Sequence, residues 1–163
     1  VQEAKDHIDL RQEQWARVAP QIDTRGMAII GRMRQITLKL RPEIEAIFAK
    51  YDLDAGEADV IFTLYRSGAP YQLRPTELYR WLMVSSGGIT HRLNRLQKAG
   101  LVERLAEPQD KRSLLVCLTG EGARIAHEAF AEDMALESQR LSVLSLDEQA
   151  SLSALLRKLL TSL

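Results

Sequence analysis

Thr90, His91, Asn94, Arg95 and Lys98 fall within one short helical segment, and all are side chains that hydrogen-bond base edges or pair with phosphate. At about 100° per residue, with Ile89 at zero, Leu93 and Leu96 fall within roughly 40° of it, while Gly87, Thr90, His91, Asn94, Arg95 and Lys98 fall between about 100° and 240°. One face is thus apolar, and the opposite face carries no large apolar residue. Ser85, Ser86 and Gly87 at the N-terminal end are small enough for close approach to a groove, and a helix N-terminus favours phosphate. Asp110, Lys111 and Arg112 follow at the tip of an expected hairpin, where cations suit a phosphate backbone or a narrow minor groove. Asp110 is placed either to orient Arg112 or to form the turn. Arg74, just ahead of a short helix, adds a further phosphate-pairing cation.

Arg92 falls near about −60° on the same wheel, beside the apolar stripe, and should turn inward or sideways. An inward guanidinium needs an anionic partner, because an unpaired buried charge is costly. Asp59 shares a polar stripe with Thr63 and Arg66, which suits an intrahelical or solvent-facing role as well as a partner's role. Trp15 is suited to packing or to a ligand contact, and Trp81 is assigned to packing. Catalytic chemistry is excluded by the lack of a Gly-rich phosphate loop, paired catalytic carboxylates or a Ser/His/Asp arrangement. The single Cys117 and the scattered His7, His91 and His127 give no metal-ligand spacing, so neither metal nor cofactor is expected.

These residues must be positioned by a compact chain. It has 163 residues, 45% hydrophobic and 27% charged, enough for one core without disulfide or metal. Lys and Arg number 22 and Asp and Glu also 22, which argues against a general polyanion seeker. The distribution is uneven: residues 66–112 hold nine basic and four acidic side chains, a balance of 9 − 4 = +5, so the flanks sum to −5. An electropositive middle between acidic flanks fits a nucleic-acid reader with a separate assembly region. One cysteine permits no intramolecular disulfide, no apolar run reaches the ~18 residues of a membrane span, and VQEAKDHIDL is no signal peptide. A cytoplasmic setting without membrane contact is expected, and since the chain begins at Val1, native residues are expected to precede it.

Helical composition runs from about Gln2 to Val18 and stops at Pro20, and a second helical run covers roughly Arg25 to Tyr51, where Pro42 should kink or interrupt it. Asp54 and Glu57 make a capping box that opens a short helix to Arg66. Tyr71-Gln72-Leu73 is an extended connection, Pro75 opens a helix to Met83, and another helix begins near Ser86 and stops at Gly100. Beyond Gly100 the period changes to two: Leu101–Leu105 and Ser113–Leu118 read as strands of a hairpin with a basic tip. Thr119 caps a long helix to about Leu144, and Ser145 with Glu148 opens a last helix striped with Leu152, Leu155, Leu156, Leu159 and Leu160. Two short helices, a small-residue turn and a cationic hairpin outline a winged helix-turn-helix. The fold class is mainly α with a small β-hairpin, divided as 1–53 N-terminal helices, 54–118 winged helix-turn-helix and 119–163 C-terminal helices.

LRPTEL (Leu73 to Leu78), SSGGITHRLNRLQKAGLVER (Ser85 to Arg104), DKRSLLVCLTGEG (Asp110 to Gly122) and the flanking helices together resemble the MarR family of winged-helix transcription regulators over nearly the whole chain. The resemblance implies a homodimer with interlaced N- and C-terminal helices, bound to double-stranded DNA at an inverted repeat, with the helix from Ser86 in a major groove and Arg112 in a flanking minor groove. It also implies repression as the usual direction. QWAR with Trp15, followed by GMAIIGRM, resembles the family's urate-responsive branch. That resemblance implies a pocket of Trp15, Asp59 in GEADVIFTLYR, Arg92 in THRLNR and Arg104 in LVERL, and a small effector such as urate, xanthine or an aromatic acid. Two other readings compete: a redox sensor of the same family using Cys117, which has no second thiol to resolve it, and a helical interaction protein without DNA contact.

Overall fold

The computed structural model describes residues 5–82, 88–107 and 110–163, with backbone alone for 107 and 110–113. Ser85, Ser86 and Gly87 lie outside the described residues. The chain is mostly helical with one small three-stranded antiparallel sheet, and it divides into two compact units, Val1–Ala46 and Ile47–Leu163.

In the N-terminal unit, α1 (His7–Val18) starts on a capping box in which Asp6 accepts from the Ile8 and Asp9 N–H groups while Asp9 accepts from Asp6. Arg32, on α2 (Arg25–Ala49), donates to Asp6 at 2.7 Å and to Asp9 at 2.6 Å, and so ties the start of α1 to α2. That guanidinium, with the backbone donors, lowers the Asp6 carboxyl to about 2. Gly31 lets the helices approach: a Cβ there would stand 3.0 Å from the Ile8 side chain. The interruption expected at Pro42 does not occur. The helix continues through it, and the Leu38 carbonyl, which loses its N–H partner and is crowded by the ring, belongs to an exposed residue, where water can take the place of the lost donor.

In the second unit, α3 (Ala55–Arg66) is the central helix. Asp54 caps it, and Ala58, Val60, Ile61 and Leu64 are fully buried. Around it pack α4 (Pro75–Trp81) through Leu78, α5 (Ile89–Lys98) through Ile89, Leu93 and Leu96, and α6 (Gly120–Leu141) through Ile125, Ala126 and Ala129. Each such large aliphatic side chain removed from water contributes roughly 1.5–3 kcal/mol. Phe62 joins Phe48 and Phe130 edge-to-face, with ring centroids 5.6 and 5.5 Å apart.

The sheet has the order β1-β3-β2: β1 (Gln72–Leu73), β3 (Asp110–Leu118) and β2 (Val102–Glu107). The extended connection foreseen at Gln72 and Leu73 is a third strand, paired with Cys117 and Val116. The hairpin strands reach further toward the tip than alternation suggested, with an irregularity between Ala106 and Glu107. Gly100 ends the helix with φ +73°, which glycine adopts without penalty. Helix α6 meets the hairpin base so closely that a Cβ at Gly122 would lie 2.0 Å from the Leu101 carbonyl oxygen. The last helix, α7 (Leu146–Leu160), opens on the Ser145–Glu148 capping box and buries none of its residues.

Candidate nucleic-acid interface

Helix α5 divides as its residue pattern requires. Ile89, Leu93 and Leu96 are buried, and Thr90, His91, Asn94, Arg95 and Lys98 are exposed. Arg74 is exposed at the N-cap of α4, where its N–H donates to Glu77 Oε2 at 2.9 Å. Asp110, Lys111 and Arg112 stand at the start of β3, described by backbone alone.

Two arginines one turn apart on α5 reach the first turn of α3. The Arg92 guanidinium covers Gly56, where a Cβ would lie 2.3 Å from Nε and 2.6 Å from Cζ. Arg92 is half-buried, turned sideways onto α3, and not part of the exposed face. Asp59, half-buried, follows Gly56 by one turn. Arg95 Nε lies 3.0 Å from Oε1 of Glu57, a carboxylate only 2% exposed, and its Nη1 lies 3.8 Å from the capping Asp54. The other Glu57 oxygen accepts the Asp54 N–H at 3.0 Å. Glu57 therefore closes the cap of α3 and holds α5 at once. The sequence showed the first role through its three-residue spacing and gave no sign of the second.

On β2, Arg104 is half-buried and donates from Nη2 to Asn94 Oδ1 at 2.8 Å, so the wing strand is bonded to the exposed face of α5. Trp15 belongs to the N-terminal unit and is 46% exposed. Trp81, assigned to packing from its place on a short helix, is instead 65% exposed, and its carbonyl accepts from Arg66 Nη2 at 2.7 Å. Leu78 is the buried position of this short helix, and Trp81, three residues on, lines an open cleft with Thr63, Arg66 and Leu73 instead of entering the core. Cys117 is 4% exposed on the central strand, its Sγ 3.6 Å from Gln72 Oε1, and burial, with the nearby Glu103 charge, pushes its thiol up. A buried, raised thiol is a poor redox sensor. Among the described residues no group of His, Cys, Asp and Glu could hold a metal, and no helix is long and apolar enough to cross a membrane.

A helix-turn-helix followed by a wing is the geometry of a DNA reader. Residues 51–113, which span α3 to the wing, match the family model described as MarR family. Over 144 residues, 88% of this chain and 87% of the relative, the sequence is 35% identical to the HTH-type transcriptional regulator PecS of Dickeya dadantii. The chain belongs to the MarR family. The multiple antibiotic resistance protein MarR of Salmonella typhimurium is 37% identical over 112 residues, covering 67% of this chain and 74% of that one. A cysteine-to-serine variant of Escherichia coli MarR, solved in complex with operator DNA, superposes with a TM-score of 0.69 at 29% identity over 90% of this chain and 97% of that one. The chain is thus a DNA-binding transcription regulator of the MarR family and not an enzyme, and the reading as an interaction protein without DNA contact is set aside.

Proposed function

We propose that this MarR-family chain is a repressor that binds an inverted-repeat operator as a homodimer and is released by a small anionic or aromatic effector, such as urate, xanthine or an aromatic acid. The observation that carries this reading is the attachment of both proposed effector arginines to α5: Arg92 is part of it and covers Gly56 on α3, and Arg104 is bonded to its Asn94. Thr90, His91 and Asn94 would meet base edges. Ser85, Ser86 and Gly87 would allow close approach, and Arg74, Lys98, Lys111 and Arg112, with Asp110 orienting the last, would meet phosphate or the minor groove. An anion that draws Arg92 and Arg104 toward itself, with Asp59 as a further wall, would change how α5 is held.

Arg104 has a neutral amide as its partner, and a charged acceptor forms the stronger hydrogen bond. A preference of ~2–3 kcal/mol for the DNA-incompetent arrangement weakens operator binding by roughly 30- to 150-fold. The homodimer is supported by the leucines that α7 leaves in water, Leu155 at 66% and Leu160 at 73% exposed among them, a stripe that a second copy would cover. A repeat of ~34 Å between two recognition helices then requires a two-fold operator. A gel-shift series with urate, xanthine and benzoate on operator-bound protein tests the reading. Release by one of them is expected, and operator affinity unchanged at saturation of all three overturns it. The protein is expected to work in the cytoplasm.

A further inference from the structure

We propose that Arg104, from the wing strand, sets which base Asn94 reads, turning it from an adenine reader into a reader of bases that present only acceptors. The inference rests on the exposed face of α5 meeting DNA. An asparagine amide offers one oxygen acceptor and two N–H donors, whereas a guanidinium only donates. The Asn94 atom 2.8 Å from Arg104 Nη2 must therefore be Oδ1, so the orientation of the amide is fixed by chemistry. The anchor is firm as well: Arg104 pairs with Val116 in the β2–β3 ladder, and Val116 is fully buried.

Asparagine reads adenine by accepting from N6–H with Oδ1 while donating to N7. Oδ1 keeps a second lone pair, but the cationic guanidinium seated on the first crowds and weakens it toward another donor, so the two amide N–H donors are favoured for a base edge. Donors match guanine O6 and N7 or thymine O4. Arg104 thus acts on specificity through a residue of the recognition helix without reading a base itself.

The test is selection from random-sequence duplexes with the wild-type protein, Asn94→Ala and Arg104→Met, each first checked for a cooperative thermal transition. Asn94→Ala should flatten the preference at one base pair of each half-site, which marks the position. There the wild type should select guanine or thymine, and Arg104→Met should raise adenine by roughly ten-fold relative to wild type. Arg104→Lys, which keeps a donor, should keep the wild-type preference. Adenine preferred by the wild type at the marked position overturns the inference, as does an identical preference in wild type and Arg104→Met. If Arg104→Met does not fold, the wild-type and Asn94→Ala selections decide it alone. A wild type that selects no sequence at all overturns the assignment of α5 to DNA, and the inference with it.

Discussion

Arg95 Nε stands 3.0 Å from Oε1 of Glu57, joining α5 to the first turn of α3 through a carboxylate that water scarcely reaches. Arg95 falls on the outward half of the helical wheel, among the side chains suited to bases and phosphates, yet its length lets it bend back along the helix to a buried charge. Glu57 has few other ways to be satisfied, since its second oxygen is already used by the Asp54 N–H. Together with buried Ile89, Leu93 and Leu96, the pair ties α5 to α3.

Counterion release separates a positioning arginine from a phosphate contact. Arg95→Gln should weaken operator binding by roughly ten-fold while the slope of log affinity against log salt stays unchanged, because losing a phosphate contact lowers that slope by about one. Titrations between low and physiological salt measure it. Arg95→Gln should also melt earlier than Arg95→Gln combined with Glu57→Gln, since the single change strands a buried charge.

Gly56→Ala should silence effector response while leaving the fold intact. Its Cβ would enter the space of the Arg92 guanidinium, the mobile end of a long side chain that can swing away. Gly122→Ala meets the Leu101 backbone carbonyl at 2.0 Å, which cannot swing, and should cost roughly 2–4 kcal/mol of stability. Thermal melts of the two variants, with effector titration on the first, check both outcomes.

How much of this the sequence disclosed follows from the range of each interaction. Caps and stops are local, so Asp54 with Glu57, Pro75, Gly100, Thr119 and Ser145 with Glu148 could be read from spacing alone. The sideways turn of Arg92 was legible for the same reason, as a position on a wheel. Contacts between elements were not: nothing in residues 101–105 says that Arg104 meets Asn94, and nothing near Gln72 says that it pairs with Cys117. Trp81 misled because large aromatics usually bury, whereas burial on a two-turn helix depends on which single face meets the core.

Cys117 should react slowly with a disulfide reagent in the native protein and rapidly after denaturation, because burial disfavours the thiolate. Operator affinity after peroxide treatment should equal that of the untreated protein. A peroxide-sensitive gel shift would restore the redox reading.

Tyr51 donates from its hydroxyl to Glu132 at 2.7 Å, and that carboxylate, with desolvation, pushes the phenol up to about 12. The folded-state value is raised, so the stabilisation is complete below the ordinary tyrosine value near pH ~10 and is lost as pH rises through about 12. Ultraviolet titration should show Tyr51 ionising late, and Glu132→Gln should bring its midpoint back down toward the ordinary tyrosine value.

That one helix both enters DNA and forms a wall of the effector site is tested most directly by fluorescence anisotropy of a labelled operator duplex, bound by wild-type protein or Arg92→Met and titrated with the effector found active in the gel-shift series. The wild type should lose affinity by at least roughly 30-fold at saturation, whereas Arg92→Met, which lacks the guanidinium the effector draws on, should keep whatever affinity it starts from and not respond. An Arg92→Met protein released as readily as the wild type would contradict the account.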